Sequence, residues 1–315
     1  MNTLAYQENR AEVPGIELQI PSSVPNQDAI QVVYAPTASH ANGLVLLLHA
    51  CTHSALKFFS LSSTCPDCVG LSEELRIVRL LLEKGYTPVA ISCINRKSGC
   101  WTNPDQDRIV KVLQHQLFAN HTVYAMGASS GGSFAAQLLV RGVVDGALVM
   151  VMSLGNDVVG KLRRNPKPLY LAPMPRDKRT TTATINNYQD LKELNTEHKQ
   201  MIILDTKSCD SLPVTRSYLQ ERVPGMTANI ADRLISSLLQ EKHLDASQML
   251  IVDPTKSNWR EIVSPDNSTR WLNKFVLKPG YSPLAKALHR AWAYHEYCSE
   301  VVVPALELFE SNSQT

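Results

Sequence analysis

A chain of 315 residues, 44% of them hydrophobic and 19% charged, has the make-up of a globular protein with a sizeable buried core, and its length allows one large α/β domain or two small ones. Its net charge of +2 supplies no global field to draw nucleic acid or an anionic membrane, so neither is expected as a partner. The longest apolar runs, over 44–48 and 147–152, are far shorter than the ~20 residues a bilayer crossing requires. No secretory signal is visible at the amino terminus, and the expected location is the cytoplasm.

In chain order, Ile16–Ile20 and Ile30–Tyr34 read as an opening antiparallel pair with a turn over 21–28. From residue 43 onward, short apolar runs alternate with segments of helical period. The strand candidates are 43–49, 87–93, 122–126, 146–153, 168–174 and 200–205. The helices between them are 72–84, which Gly85 terminates, 106–118 and 132–141. Runs that are continuously apolar belong to strands covered on both faces, and their alternation with helices predicts a mostly parallel sheet with crossover helices. From residue 206 this rhythm stops. Residues 207–281 carry helical patterns at 213–222 and 228–242 and read as a cap inserted into a single domain spanning 1–315. A closing helix begins between 282 and 295 and ends near Phe309.

Seven cysteines is an odd number for a secreted disulfide scaffold. Cys51, Cys93, Cys209 and Cys298 read as buried free thiols. Cys65 and Cys68, in Cys-Pro-Asp-Cys, are a closer pair. A second half-site at comparable spacing is missing, which argues against zinc; a disulfide, with Cys100 as the nearest further partner, or a pair of reduced structural thiols remains. No metal site is expected.

The strongest motif is Gly127-Ala128-Ser129-Ser130-Gly131, set between the apolar strand 122–126 and the Ala-rich helix that follows. This is G-x-S-x-G in the strand–turn–helix context that makes it a nucleophile elbow. The chain reverses so sharply there that side chains at the flanking positions would collide, and Gly127 and Gly131 remove the collision. Ser129 is lifted above the carboxyl-terminal edge of the sheet. The backbone N–H of Ser130, at the positive end of the helix, faces the place where a carbonyl oxygen becomes an oxyanion.

About 80 residues upstream, the first central strand runs into Leu48-His49-Ala50-Cys51-Thr52-His53. At this point the chain resembles α/β-hydrolases of the esterase and depolymerase kind, whose loop reads Leu-His-Gly-Cys-Thr-Gln or close to it; here Ala50 stands where glycine is usual. The resemblance implies an α/β-hydrolase fold, a mostly parallel central sheet flanked by helices. It also implies a second oxyanion N–H from this loop, from Cys51 first and Ala50 next. His53 is a candidate substrate contact, and His49 is either part of the site or a core histidine satisfied by backbone.

The same resemblance requires the order Ser, then Asp or Glu, then His. Asp177, just past the strand 168–174, is the first candidate for the acid, ahead of Asp210 and Asp205. His295 is the first candidate for the base, ahead of His289 and His243; His198 follows Asp177 but lies at the wrong end of the sheet. The implied chemistry is hydrolysis of an ester, thioester or amide in a small-molecule or acyl substrate, with neither metal nor organic cofactor. Two other classes remain open: a hydrolase fold kept as a receptor with little turnover, and a thiol-based redox or metal protein built on Cys65 and Cys68. Nothing in the sequence sets an oligomeric state.

Overall fold

The structure, a computed structural model, describes residues 13–21, 28–37, 41–198, 204–263, 277–278 and 280–313. The opening pair forms as expected: β1 (Ile16–Ile20) and β2 (Ile30–Tyr34) run antiparallel, with Ile16 opposite Tyr34. Most of the turn expected over 21–28 lies outside the described residues. The alternation then proceeds through β3 (Gly43–Leu48), α1 (Ser72–Glu83), β4 (Tyr86–Ile91), α2 (Asp105–Leu113), β5 (Val123–Ala128), α3 (Ser130–Val140), β6 (Gly146–Met150), α4 (Asn156–Arg164), β7 (Leu169–Ala172), α5 (Lys178–His198) and β8 (Leu204–Thr206). Of the strand expected over 200–205, residues 200–203 lie outside the described residues.

The eight strands form one sheet in the order β1-β2-β4-β3-β5-β6-β7-β8, antiparallel at β1/β2 and β2/β4 and parallel from there on. Every residue of β3, β4, β5, β6 and β7 is buried, because side chains alternate between two covered faces. In β3, Val45 and Leu47 join a cluster with Val78 and Leu81 of α1. Leu44, Leu46 and Leu48 point the other way, into a cluster with Phe134 and Leu138 of α3 and Leu162 of α4.

Beyond β8 come α6 (Arg216–Arg222), α7 (Ala228–Gln240), α8 (Trp259–Val263) and α9 (Pro283–Trp292). They share a third hydrophobic cluster that includes Leu219, Leu234, Trp259 and Leu288. Buried Arg222 of α6 ties this layer to the rest of the molecule. Its guanidinium donates to Glu73 of α1 at 2.7 Å and to Glu300 at 2.5 Å. The closing segment is not one helix. After α9 the chain turns through 293–301, with a short 3-10 stretch at Ser299–Val301, before α10 (Val302–Ser313). Ala293 ends α9 in the left-handed region at φ 56°. Its carbonyl accepts from Arg176 N–H at 3.3 Å, and the Arg176 guanidinium lies 3.5 Å over the Trp292 ring.

Candidate active site

β5 ends at Ala128 and α3 starts at Ser130, so a single residue makes the reversal. Ser129 sits at φ 52°, ψ −119°, a combination that side chains rarely adopt. The surrounding backbone holds it there: Ser129 N–H donates to Met150 O at the end of β6, and Ser129 O accepts from Ser133 N–H, both at 3.0 Å. A Cβ on Gly127 would run into the backbone of Gly131, and one on Gly131 would land on the Leu48 carbonyl. Only glycines let the helix start this close to the ends of β3 and β5. Ser130, the first residue of α3, presents one of the amide donors that a helix leaves unpaired in its first turn.

Asp177 and His295, 118 residues apart, meet on the loops after β7 and after α9. His295 Nδ1 is 2.7 Å from Asp177 Oδ2. The other carboxylate oxygen accepts from Thr180 N–H at 3.3 Å, so Asp177 also caps the start of α5. Because α9 stops at Ala293, His295 lies in a turn rather than inside a helix, with its side chain 37% exposed. The turn is held from below by buried Glu296, which accepts from Lys286 Nζ at 2.7 Å.

The loop after β3 is held by hydrogen bonds at His49 and Ala50. The buried hydroxyl of Tyr297 accepts from Ala50 N–H at 3.0 Å and donates to Leu48 O at 3.1 Å. The N–H of Ala50, the second oxyanion candidate, is thereby engaged, whereas the Cys51 N–H has no acceptor among the described residues. His49 is fully buried and structural. Its Nε2 accepts from Cys93 N–H at 3.1 Å, so the ring proton is on Nδ1 and is donated to Ala50 O at 2.9 Å. Burial, the larger influence, pushes this imidazole down to about 4 despite its hydrogen bond to Ala50. The unfolded state therefore takes up its proton first as pH falls from 6.5, and His49 withdraws about 3 kcal/mol of stability by pH 4, at 1.36 kcal/mol per pH unit. The stability gap between wild type and His49→Gln, read from urea midpoints, is expected to shrink by that amount between pH 7 and pH 4; a constant gap refutes it.

His53 turns away from the loop surface. Its side chain is 8% exposed, with Nδ1 3.3 Å from the fully buried carboxylate of Glu74. The lower-ranked acids have other partners: Asp210 accepts from Ser208 and Asp205 from the Thr206 N–H. His243 Nδ1 lies 3.0 Å from Glu241 O, and His289 Nδ1 lies 4.0 Å from Glu296. The side chain of His198 is outside the described residues.

The cysteines overturn the expectation of free thiols. Cys51 is bonded to Cys100, Cys209 to Cys298 and Cys65 to Cys68; Cys93 alone is free. The 49- and 89-residue separations of the first and third pairs carry no sequence signature, and the bond between Cys65 and Cys68 takes that pair out of metal chemistry. Sequence reasoning also passed over Tyr297 and Trp101, whose polar atoms anchor the β3 loop. An aromatic residue carries no polar signal until its partners are known.

No family model and no curated protein matches the chain. Among solved structures it is similar to a Pyrococcus furiosus esterase at 15% identity and TM-score 0.44, over 74% of this chain and 92% of that one. It is similar to a CIB-like hydrolase from Thermoplasma acidophilum at 14% and 0.43, over 70% and 97%, and to esterase 2 of Thermogutta terrifontis at 12% and 0.43, over 62% and 82%. At such scores the fold assignment rests on the chain itself. Among the described residues no helix is long and apolar enough to cross a membrane. An eight-stranded, mostly parallel sheet in this order, with a strained serine turn between its fifth strand and the next helix, gives the chain the α/β-hydrolase fold.

Proposed function

We propose that the protein is a serine hydrolase that cleaves carboxylic esters through an acyl-enzyme on Ser129. The observation that carries this reading is the 2.7 Å contact between His295 Nδ1 and Asp177 Oδ2, the base and acid that the chain order Ser, Asp, His gives the strained serine. With Nδ1–H held by the carboxylate, Nε2 is left bare and can accept a proton. Ser129 Oγ attacks the substrate carbonyl and His295 takes its proton. The negative oxygen is received by the Ser130 and Cys51 N–H groups, and His295 returns the proton to the departing alcohol. Water then repeats the cycle on the acyl-enzyme. Each step uses side chains and backbone amides of this chain and calls for no cofactor. The helices between 207 and 281, which pack with α9 in the third cluster, are assigned as the cap.

Activity profiling with p-nitrophenyl esters of graded chain length tests the reaction, and a fluorophosphonate probe tests the nucleophile. Wild type is expected to hydrolyse one or more of the esters and to take up one probe per chain; folded protein that does neither refutes the enzyme and favours a binding protein. The three disulfides also point to an oxidising compartment rather than the cytoplasm, where such bonds rarely persist. Denaturing alkylation without reductant is expected to label one thiol of the natively expressed protein, Cys93, and seven after reduction. Seven without reductant refutes the cross-linked form.

A further inference from the structure

We propose that Ser98–Trp101 is a positioning strut that sets the spacing between the two oxyanion donors, with the Cys51–Cys100 disulfide as its cross-bar. This rests on the hydrolase reading above. The two donors come from different elements. Cys51 follows β3, and Ser130 opens α3. The strands beneath them are neighbours, with Leu48 opposite Gly127, but both donors lie beyond the strand ends, where the ladder no longer fixes their separation.

The strut comes from a third place, between β4 and α2, and it grips both sides. Toward the Cys51 side, Cys100 is bonded to Cys51, Ser98 O accepts from Thr52 N–H at 2.9 Å, and Trp101 Nε1–H donates to His49 O at 2.8 Å. On the Ser130 side, Trp101 N–H donates to Ser130 Oγ at 3.0 Å, and the indole stacks on Phe134 of α3 with centroids 4.7 Å apart. Two consecutive residues, Cys100 and Trp101, thus reach the two donor residues directly. Gly99, at φ +60°, lets the segment lie flat on the loop; a Cβ there would stand 2.5 Å from Thr52 N.

The strut is itself rigid. Buried Asp105 accepts from Ile94 N–H at 2.6 Å and from Thr102 N–H at 2.8 Å, pinning both ends of the loop that carries it. Trp101 is 9% exposed. The Ser98 carbonyl, the Trp101 N–H and the Trp101 indole N–H are committed to Thr52, Ser130 and His49, so the effect of the segment passes through the amides of Cys51 and Ser130. Misplaced oxyanion donors weaken binding of the transition state while leaving substrate binding alone, so kcat falls and KM stays.

Trp101→Phe keeps the stack on Phe134 and removes the hydrogen bond to His49 O; Cys51→Ser/Cys100→Ser removes the cross-bar. Each variant is compared with wild type for kcat and KM on the best p-nitrophenyl ester, for melting temperature, and for affinity toward a trifluoromethyl ketone, whose hemiketal with Ser129 places an oxyanion between the donors. The expected result for folded Trp101→Phe is a drop in kcat of roughly 10–100-fold, below the ~10²–10³ for losing a donor outright. KM should stay within about twofold, and ketone affinity should fall in parallel with kcat. A folded Trp101→Phe whose kcat and ketone affinity match wild type, while its turnover still depends on Ser129, overturns the strut and leaves the hydrolase reading standing. Turnover that survives Ser129→Ala overturns both. Should the serine pair fail to fold, Trp101→Phe carries the test alone.

Discussion

Ser129→Ala is expected to lower kcat on the order of 10⁵–10⁶-fold and to abolish fluorophosphonate labelling, while the protein stays folded and still binds substrate. The size follows from how nucleophile and base act as a unit: removing either member forfeits nearly all the covalent chemistry, and only the oxyanion donors and binding remain. Stability is spared for a local reason. The unusual backbone of Ser129 is held by Met150 O and Ser133 N–H, neither of which uses the hydroxyl, and alanine has the same Cβ at that φ. Circular dichroism and melting temperature separate lost chemistry from lost fold. Turnover within tenfold of wild type in a folded Ser129→Ala protein would remove the serine from the mechanism.

Asp177→Asn is expected to lower kcat about 10⁴-fold with little change in KM. The carboxylate keeps the His295 proton on Nδ1 and leaves Nε2 free to accept. An asparagine amide facing the same 2.7 Å contact donates its own N–H to Nδ1, which moves the ring proton to Nε2 and disables the base. The structural duty of the residue survives, because asparagine caps a helix about as well as aspartate and can accept from Thr180 N–H as Asp177 now does. The variant should therefore melt near wild type. A loss of less than tenfold in kcat would assign Asp177 to the cap alone.

Much of this architecture is legible in the amino-acid sequence. The apolar strands between residues 43 and 174 announced a covered parallel sheet, because a strand with helices on both faces has nowhere to put a polar side chain. The serine turn was legible because its motif is contiguous in the chain and Gly127 makes room for the adjoining helix start, although the space at Gly131 is needed for the end of β3 at Leu48. Helix α5 was missed. Its opening stretch, Lys178 to Asn187, holds four threonines and two asparagines, residues whose side chains compete with helical hydrogen bonding. The helix is instead started by Asp177 and packed through Leu191. The loop that carries His295 ahead of a helix resuming near Val301 was legible, but the stop of α9 at Ala293 was hidden, since alanine is the best helix former and its carbonyl is held by Arg176, from the loop after β7.

By itself the sequence determined the layered sheet, the strained serine and the short list of acids and histidines, since each depends on the steric and polar character of near neighbours in the chain. Tertiary structure alone decided that Asp177 rather than Asp210 faces His295, that Cys51 finds Cys100, and that Tyr297 takes the Ala50 amide. Those pairings span 49 to 247 residues, and at such separations contact depends on how sheet, loops and helices close together, a property of the folded whole that no local pattern encodes.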